Sequence, residues 1–136
     1  METLNTTTAL NIEQQNKAVF NLLRITYTVI PIAAGLDKFL NLLTNWEKYL
    51  DTALVSSLPF SAHSFMMVVG AIEIIAGIIV FLKPRIGGFI VAAWLVLIAL
   101  TLLAGGKYID VAVRDIVMAV GALSLAIISK IKNLEP

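Results

Sequence analysis

Six charged residues lie in or beside long apolar segments of this sequence, where a charge is most costly to keep. A charge near the centre of a bilayer costs at least about 2.5–3.5 kcal/mol on insertion scales. Residues of this kind usually face the protein interior, find a partner and mark a functional site. They are Arg24, Asp37, Lys38, Glu73, Arg114 and Asp115. Their chemistry is ion pairing, proton transfer or the binding of a ligand.

Glu73 and Arg24 are the two charges placed deepest in these segments. Glu73 lies midway along its segment, with Gly70 and Gly77 on the same helical face. Small residues there let a neighbouring helix approach closely, so Glu73 is predicted to point into a helical bundle. Arg24 lies about 9 Å into the first segment at about 1.5 Å per residue. We therefore predict an Arg24–Glu73 ion pair, which either fixes helix packing or forms a ligand or proton site.

A second group of charges is predicted towards the outer end of the bundle. Asp37 and Lys38 end the first apolar segment, whereas Arg114 and Asp115 begin the last one. Because two acids and two bases lie at one depth, their charges can cancel completely, whichever acid pairs with which base across the two helices. Because these side chains can reach interfacial water, the prediction for this outer charge cluster is a structural role.

Other kinds of site have few residues to form them. The chain has no cysteine, which removes disulfides, thiolate nucleophiles and zinc–thiolate sites. His63 is the single histidine and has no second strong ligand beside it, so we predict no metal and no cofactor. The net charge of +1 provides no basic stripe for nucleic acid. An enzyme with Glu73 or Asp37 as general acid or base remains an alternative, but we predict no catalytic residue.

The composition places these charges in a membrane protein. Hydrophobic residues make up 59% of the 136 residues and charged residues 14%, with a mean hydropathy of +0.90. Soluble domains average about 45–50% apolar and about 25% charged residues. A bilayer core requires about 20 mostly apolar helical residues, and four segments provide them: about 18–40, 64–82, 86–106 and 111–129. The predicted fold class is an all-α, integral membrane four-helix bundle.

The first connection is much longer than the other two. Within it Trp46, Tyr49, Leu50, Ala53 and Leu54 follow i, i+3, i+4, i+7, i+8 spacing. This spacing predicts a short amphipathic helix lying in the membrane interface between helices one and two. The alternative is a re-entrant or lid-like loop over the bundle.

The termini complete the predicted organisation. Residues 1–17 are expected to form a polar, mobile N-terminal tail, residues 18–129 a single four-helix domain and residues 130–136 a short tail. Four spans place both termini on one side, together with Lys17, the Lys83–Arg85 turn, Lys130 and Lys132. Because Lys and Arg are more frequent in cytoplasmic flanks, both termini are predicted to be cytoplasmic.

Three stretches of the sequence resemble the DoxX-like family of small bacterial membrane proteins. The first is Leu23-Arg24-Ile25 followed by Gly35-Leu36-Asp37-Lys38-Phe39; the second is Gly70-Ala71-Ile72-Glu73-Ile74-Ile75-Ala76-Gly77; the third is Val113-Arg114-Asp115-Ile116. They occur in the family's order, on the first, second and fourth helices. The similar region runs from about Phe20 to Ile128.

The resemblance implies a location and a class of function. It implies a four-helix bundle in the bacterial cytoplasmic (inner) membrane, whose partners are the lipid bilayer, other membrane-protein subunits or further copies of itself. Founding members of the family resemble subunits of a thiosulfate:quinone oxidoreductase, and others are implicated in redox homeostasis. The expected function is thus a non-catalytic accessory subunit of a membrane complex, such as a quinone-linked redox complex. The alternative is a binder or transporter of a small molecule, quinone or lipid that uses Glu73 and Arg24.

Overall fold

The computed structural model describes residues 2–49, 56–57, 59 and 61–130. Their architecture is four long helices: α1 (Glu2–Leu40), α2 (Ala62–Leu82), α3 (Pro84–Gly105) and α4 (Ile109–Ile128). Each of the four is long and apolar enough to cross a membrane. The prediction of an all-helical bundle with four candidate spans is therefore confirmed.

The first helix is much longer than predicted. It begins at Glu2 and has 39 residues, which is about 58 Å at about 1.5 Å per residue and about twice the thickness of a bilayer core. The predicted N-terminal tail, residues 1–17, is helical from Glu2 onwards and continues directly into the first apolar segment. No glycine or proline lies between Glu2 and Lys17, so nothing stops the helix from continuing. Of the predicted C-terminal tail, residues 131–136 lie outside the described residues.

Successive helices run antiparallel. Along the α1–α2 interface Gly35 meets Gly70, whereas Thr28 meets Gly77, so rising numbers on α1 face falling numbers on α2. Residue Lys83 alone separates α2 from α3. We call the end of the bundle where α1 ends and α2 begins the connection end. The opposite end, which carries Lys83, we call the terminal end.

Small residues set the distances between helices. A Cβ atom added to Gly35 would lie 2.5 Å from the Gly70 carbonyl oxygen, and one added to Gly70 would lie 2.6 Å from the Gly35 carbonyl oxygen. Gly88 has the same role between α3 and α4, where an added Cβ would lie 2.8 Å from the Ala122 carbonyl oxygen. The α1–α2 and α3–α4 pairs are thus in backbone contact, as small residues at membrane helix interfaces allow.

The buried apolar side chains form two clusters at different levels of the bundle. The cluster towards the terminal end contains Phe20, Ala76, Val80, Val91, Ala122 and Leu125. The cluster at the connection end contains Ala99, Leu102 and Ala112. On α4 the buried Asp115 lies between Ala112 and Ala119. A level of buried charge therefore separates the two apolar clusters on this helix.

Only the start of the first connection can be compared with the predicted amphipathic helix. Trp46–Tyr49 form a single 3₁₀ turn, and the Tyr49 ring packs edge-on against Tyr108 with 4.7 Å between ring centroids. This turn thus packs on the connection end of the bundle. Leu50, Ala53 and Leu54 lie outside the described residues, so the interfacial helix stays a prediction.

Candidate functional site

The most buried ion pair of the described residues joins α1 to α2. The Lys38 Nζ atom lies 2.6 Å from the Glu73 Oε2 atom, and the two side chains are 5% and 10% exposed. The same ammonium lies 3.9 Å from the centroid of the Trp46 ring, within the range of a cation–π interaction. Lys38 is thus held between a carboxylate on α2 and an aromatic ring from the first connection.

The close crossing at Gly35 and Gly70 explains this pairing. Lys38 lies beyond Gly35 towards the connection end, whereas Glu73 lies beyond Gly70 towards the terminal end. Side chains of a helix tilt towards its N-terminus. Because α1 and α2 are antiparallel, Lys38 tilts down the bundle and Glu73 tilts up towards it. The two side chains therefore meet beside the crossing, where the Lys38 Cβ atom lies against Gly70.

The predicted Arg24–Glu73 pair is wrong, and the same rule of tilt explains why. Arg24 on α1 tilts towards the terminal end, away from Glu73. Its Nε atom donates a hydrogen bond of 3.1 Å to the Phe81 carbonyl oxygen, and its Nη2 atom donates to the same oxygen. That carbonyl belongs to the last turn of α2, where C=O groups lack intrahelical partners and a cation interacts favourably with the helix dipole. Arg24 therefore caps α2.

We expect Arg24→Met to lower the free energy of unfolding by about 1 kcal/mol, a typical net value for a hydrogen bond. The guanidinium is half-buried, which places the effect below that of a fully buried charged contact. SDS titration of the purified protein in detergent, followed by helical circular dichroism, measures the change. Arg85→Met is the matched control, because Arg85 is an exposed cation near the same end of the bundle. Equal effects of the two substitutions would contradict the capping role.

Asp37 is buried but does not pair with a cation. Its carboxylate accepts hydrogen bonds from the backbone N–H groups of Leu42, at 2.8 Å, and Leu43, at 3.0 and 3.1 Å. It also accepts a bond of 2.8 Å from the Trp46 Nε1 atom. Asp37 therefore organises the chain directly after α1, and it positions the indole ring that covers Lys38.

The predicted outer charge cluster is divided differently in the structure. Lys38 pairs with Glu73, a residue predicted to belong to another site, and Asp37 is satisfied by the first connection. Arg114 is exposed, whereas Asp115 on the next position of α4 is 8% exposed. Asp115 interacts electrostatically with both Lys38 and Glu73. The crossed pairing of Asp37 and Lys38 with Arg114 and Asp115 is therefore wrong.

Polar side chains from all four helices interact in one region of the bundle. Trp94 on α3 directs its Nε1 atom towards the Glu73 Oε1 atom at 3.5 Å. We call Lys38, Glu73, Trp94 and Asp115 the charge cluster, since α1, α2, α3 and α4 each contribute one member. It contains two carboxylates and one ammonium, so ionised members would leave one negative charge uncompensated.

Sequence reasoning missed the two tryptophans of this region. The amphipathic spacing places Trp46 in the predicted interfacial helix, and Trp94 belongs to none of the predicted sites. A buried indole N–H usually finds a hydrogen-bond acceptor, and Asp37 and Glu73 are the acceptors that the structure provides. The signal available in the sequence was a tryptophan in the middle of a span that has no charged residue.

His63 lies apart from this region. Its Nδ1 atom is 3.2 Å from the Glu47 Oε1 atom, at a site where the imidazole is 51% exposed. Within the described part of the chain, no group of three or more His, Asp or Glu residues could hold a metal ion. The contact links α2 to the 3₁₀ turn at the connection end.

The arrangement can therefore do two kinds of chemistry: it can hold four helices together through a shared set of charges, or it can exchange a cation at a carboxylate. Both depend on a difference between the two carboxylates: Glu73 forms an ion pair with Lys38, whereas Asp115 forms no ion pair with the described residues.

Comparisons with protein families, with curated proteins and with solved structures find nothing that matches this chain.

Proposed function

We propose that this chain is a multi-pass membrane protein that acts as a non-catalytic module of a larger membrane complex. The observation that supports this proposal most strongly is that three of the charges in the apolar segments are engaged within the chain: Glu73 by Lys38, Arg24 by a backbone carbonyl and Asp37 by Trp46. Charges used in this way fix the packing of helices against one another. They support a structural role for the bundle more than a site with a free pair of charges for a substrate.

The exposed surface supports insertion into a membrane. Large apolar side chains on all four helices are exposed, among them Val29, Ile75, Leu97 and Val117. In a soluble protein these groups would contact water, which costs a free energy of about 25 cal/mol per Å² of exposed apolar surface. Lipid tails or apolar faces of partner subunits would cover them without that cost. We propose the bacterial cytoplasmic membrane, as the DoxX-like resemblance implies.

The distribution of cations supports the proposed orientation. Lys83 and Arg85 between α2 and α3 and Lys130 after α4 are exposed at the terminal end. By the positive-inside rule we propose that this end faces the cytoplasm and that both termini lie on that side. The polar part of α1 before Lys17 would then project from the membrane on the cytoplasmic side, where it is available to other subunits.

Purification from native membranes in a mild detergent tests the proposed function. We expect the tagged chain to migrate well above its own mass and to carry other membrane proteins in fixed ratio, redox proteins with bound quinone among them. Loss of the chain should lower the membrane content of those partners. A chain that runs alone, or only with copies of itself, would overturn the proposal.

A binder or transporter of a small molecule is the second candidate. The site predicted for it, Arg24 with Glu73, is not assembled, because the two side chains point to opposite ends of the bundle. The observation that favours this candidate is instead the buried carboxylate of Asp115, which lacks a cation of its own. A quinone or lipid ligand would have to reach this level between the helices.

A further inference from the structure

Asp115 is a buried acid without a direct partner among the described residues. Its side chain lies at 8% residue exposure, and among the described residues it accepts no hydrogen bond and forms no ion pair. Asp37, at 5% exposure, shows the contrast, because three groups donate to its carboxylate. An ionised carboxylate buried without a partner is expensive, and such a group usually changes its protonation state instead.

The charged groups that interact with Asp115 lie on its own helix, α4, and on two neighbouring helices. Lys38 on α1 and Glu73 on α2 both interact with it electrostatically. Helix α3 contributes the neutral Trp94, since its charged residue, Arg85, lies at the terminal end. Arg114 adjoins Asp115 in sequence and attracts its charge, but it is exposed and, among the described residues, forms no ion pair with Asp115.

The single ammonium of the charge cluster is committed to Glu73. Lys38 lies 2.6 Å from the Glu73 carboxylate and 3.9 Å from the Trp46 ring centroid, so it is held from two sides. Asp115 is therefore the carboxylate left for another cation. On its own helix it is flanked by Ala112 and Ala119, which are 0% and 5% exposed. A proton suits this packed position, because it binds to a carboxylate oxygen without a cavity.

We propose that Asp115 is a proton-binding site in the core of the bundle. A proton from water at the connection end adds to the carboxylate and gives a neutral carboxyl group, and release is the reverse step. The charge cluster then alternates between a net charge of minus one and zero, while Lys38 remains the counter-ion of Glu73. The inference rests on the proposed insertion of the helices in a membrane and not on any partner subunit.

Infrared difference spectroscopy of the whole chain in phosphatidylcholine vesicles tests this proposal during a pH titration. We expect wild-type protein to show a protonated-carboxyl C=O band that disappears as the pH rises. Asp115→Asn should remove that band while the helical circular dichroism stays unchanged, because an amide resembles the neutral acid. Asp110→Asn is the matched control, since Asp110 is an exposed acid on the same helix, and it should leave the band in place.

A second substitution keeps the test decisive if Asp115→Asn does not fold. Asp115→Glu retains a carboxyl group and should shift the frequency of the titrating band. The proposal is overturned if the wild type shows no titrating carboxyl band or if that band survives Asp115→Asn. Because the vesicles contain no other protein, failure here is distinct from failure to find a complex in native membranes.

Discussion

Gly70→Leu should cause one of the two largest losses of stability expected in this chain. A Cβ atom at position 70 would lie 2.6 Å from the Gly35 carbonyl oxygen and 3.1 Å from the Lys38 Cβ atom. The first of these contacts is with backbone, which cannot move aside as a flexible side chain does. Overpacking of a core typically costs about 1–3 kcal/mol, and we expect at least the upper end of that range. SDS titration in detergent measures the free energy of unfolding.

Ala71→Leu is the matched control for this substitution. It adds a similar side chain one residue later on α2, at a position that is exposed and would face lipid. We expect its free energy of unfolding to lie within about 0.5 kcal/mol of the wild type, as for surface changes elsewhere. If Gly70→Leu were as stable as Ala71→Leu, the backbone contact between α1 and α2 would be refuted.

The Gly70 variant also bears on the charge cluster. The ion pair exists because α1 approaches α2 closely enough for Lys38 to reach past Gly70 to Glu73. Separation of the helices by a leucine side chain would therefore remove the pair as well as the packing. The small residues and the buried charges of this interface are one structural unit, and their energetic effects are not expected to be additive.

The sequence predicted the helices well because the apolar segments have the length that a membrane core requires. It also predicted that Glu73 faces inwards, and the contacts of Gly70 and Gly77 with α1 confirm that prediction. Residue spacing defines a helical face, and a face rich in glycine is used where another helix approaches. These features depend on neighbouring residues in the chain, so they can be read without knowledge of the fold.

The partners of the buried charges were harder to predict because they depend on direction as well as depth. Depth alone suggested Arg24 as the partner of Glu73, whereas the tilt of side chains along antiparallel helices brings Lys38 to it instead. Asp37 was assigned to an ion pair because the backbone N–H groups that bind it, after Leu40, carry no signal in residue type. The helical state of residues before Lys17 was missed because polarity was taken to indicate a tail.

Lys38→Met is expected to lower the free energy of unfolding by about 3–5 kcal/mol, the usual effect of removing one partner of a buried ion pair. Glu73 would remain buried with only the weak donor Trp94 nearby, and Asp115 would lose the one ammonium that faces it. SDS titration at neutral pH measures the change. Lys107→Met is the matched control, because Lys107 is an exposed cation at the connection end, and it should have little effect.

The converse variant, Glu73→Gln, separates a simple ion pair from a shared cluster. In a simple pair, either single substitution leaves one buried charge and the two losses should be similar. In the charge cluster the freed ammonium of Lys38 can turn to Asp115, so Glu73→Gln should cost clearly less than Lys38→Met. The double variant should recover most of the stability lost in Lys38→Met, since no carboxylate of the original pair then remains ionised. Equal losses in the two single variants would show that Asp115 does not share the ammonium of Lys38.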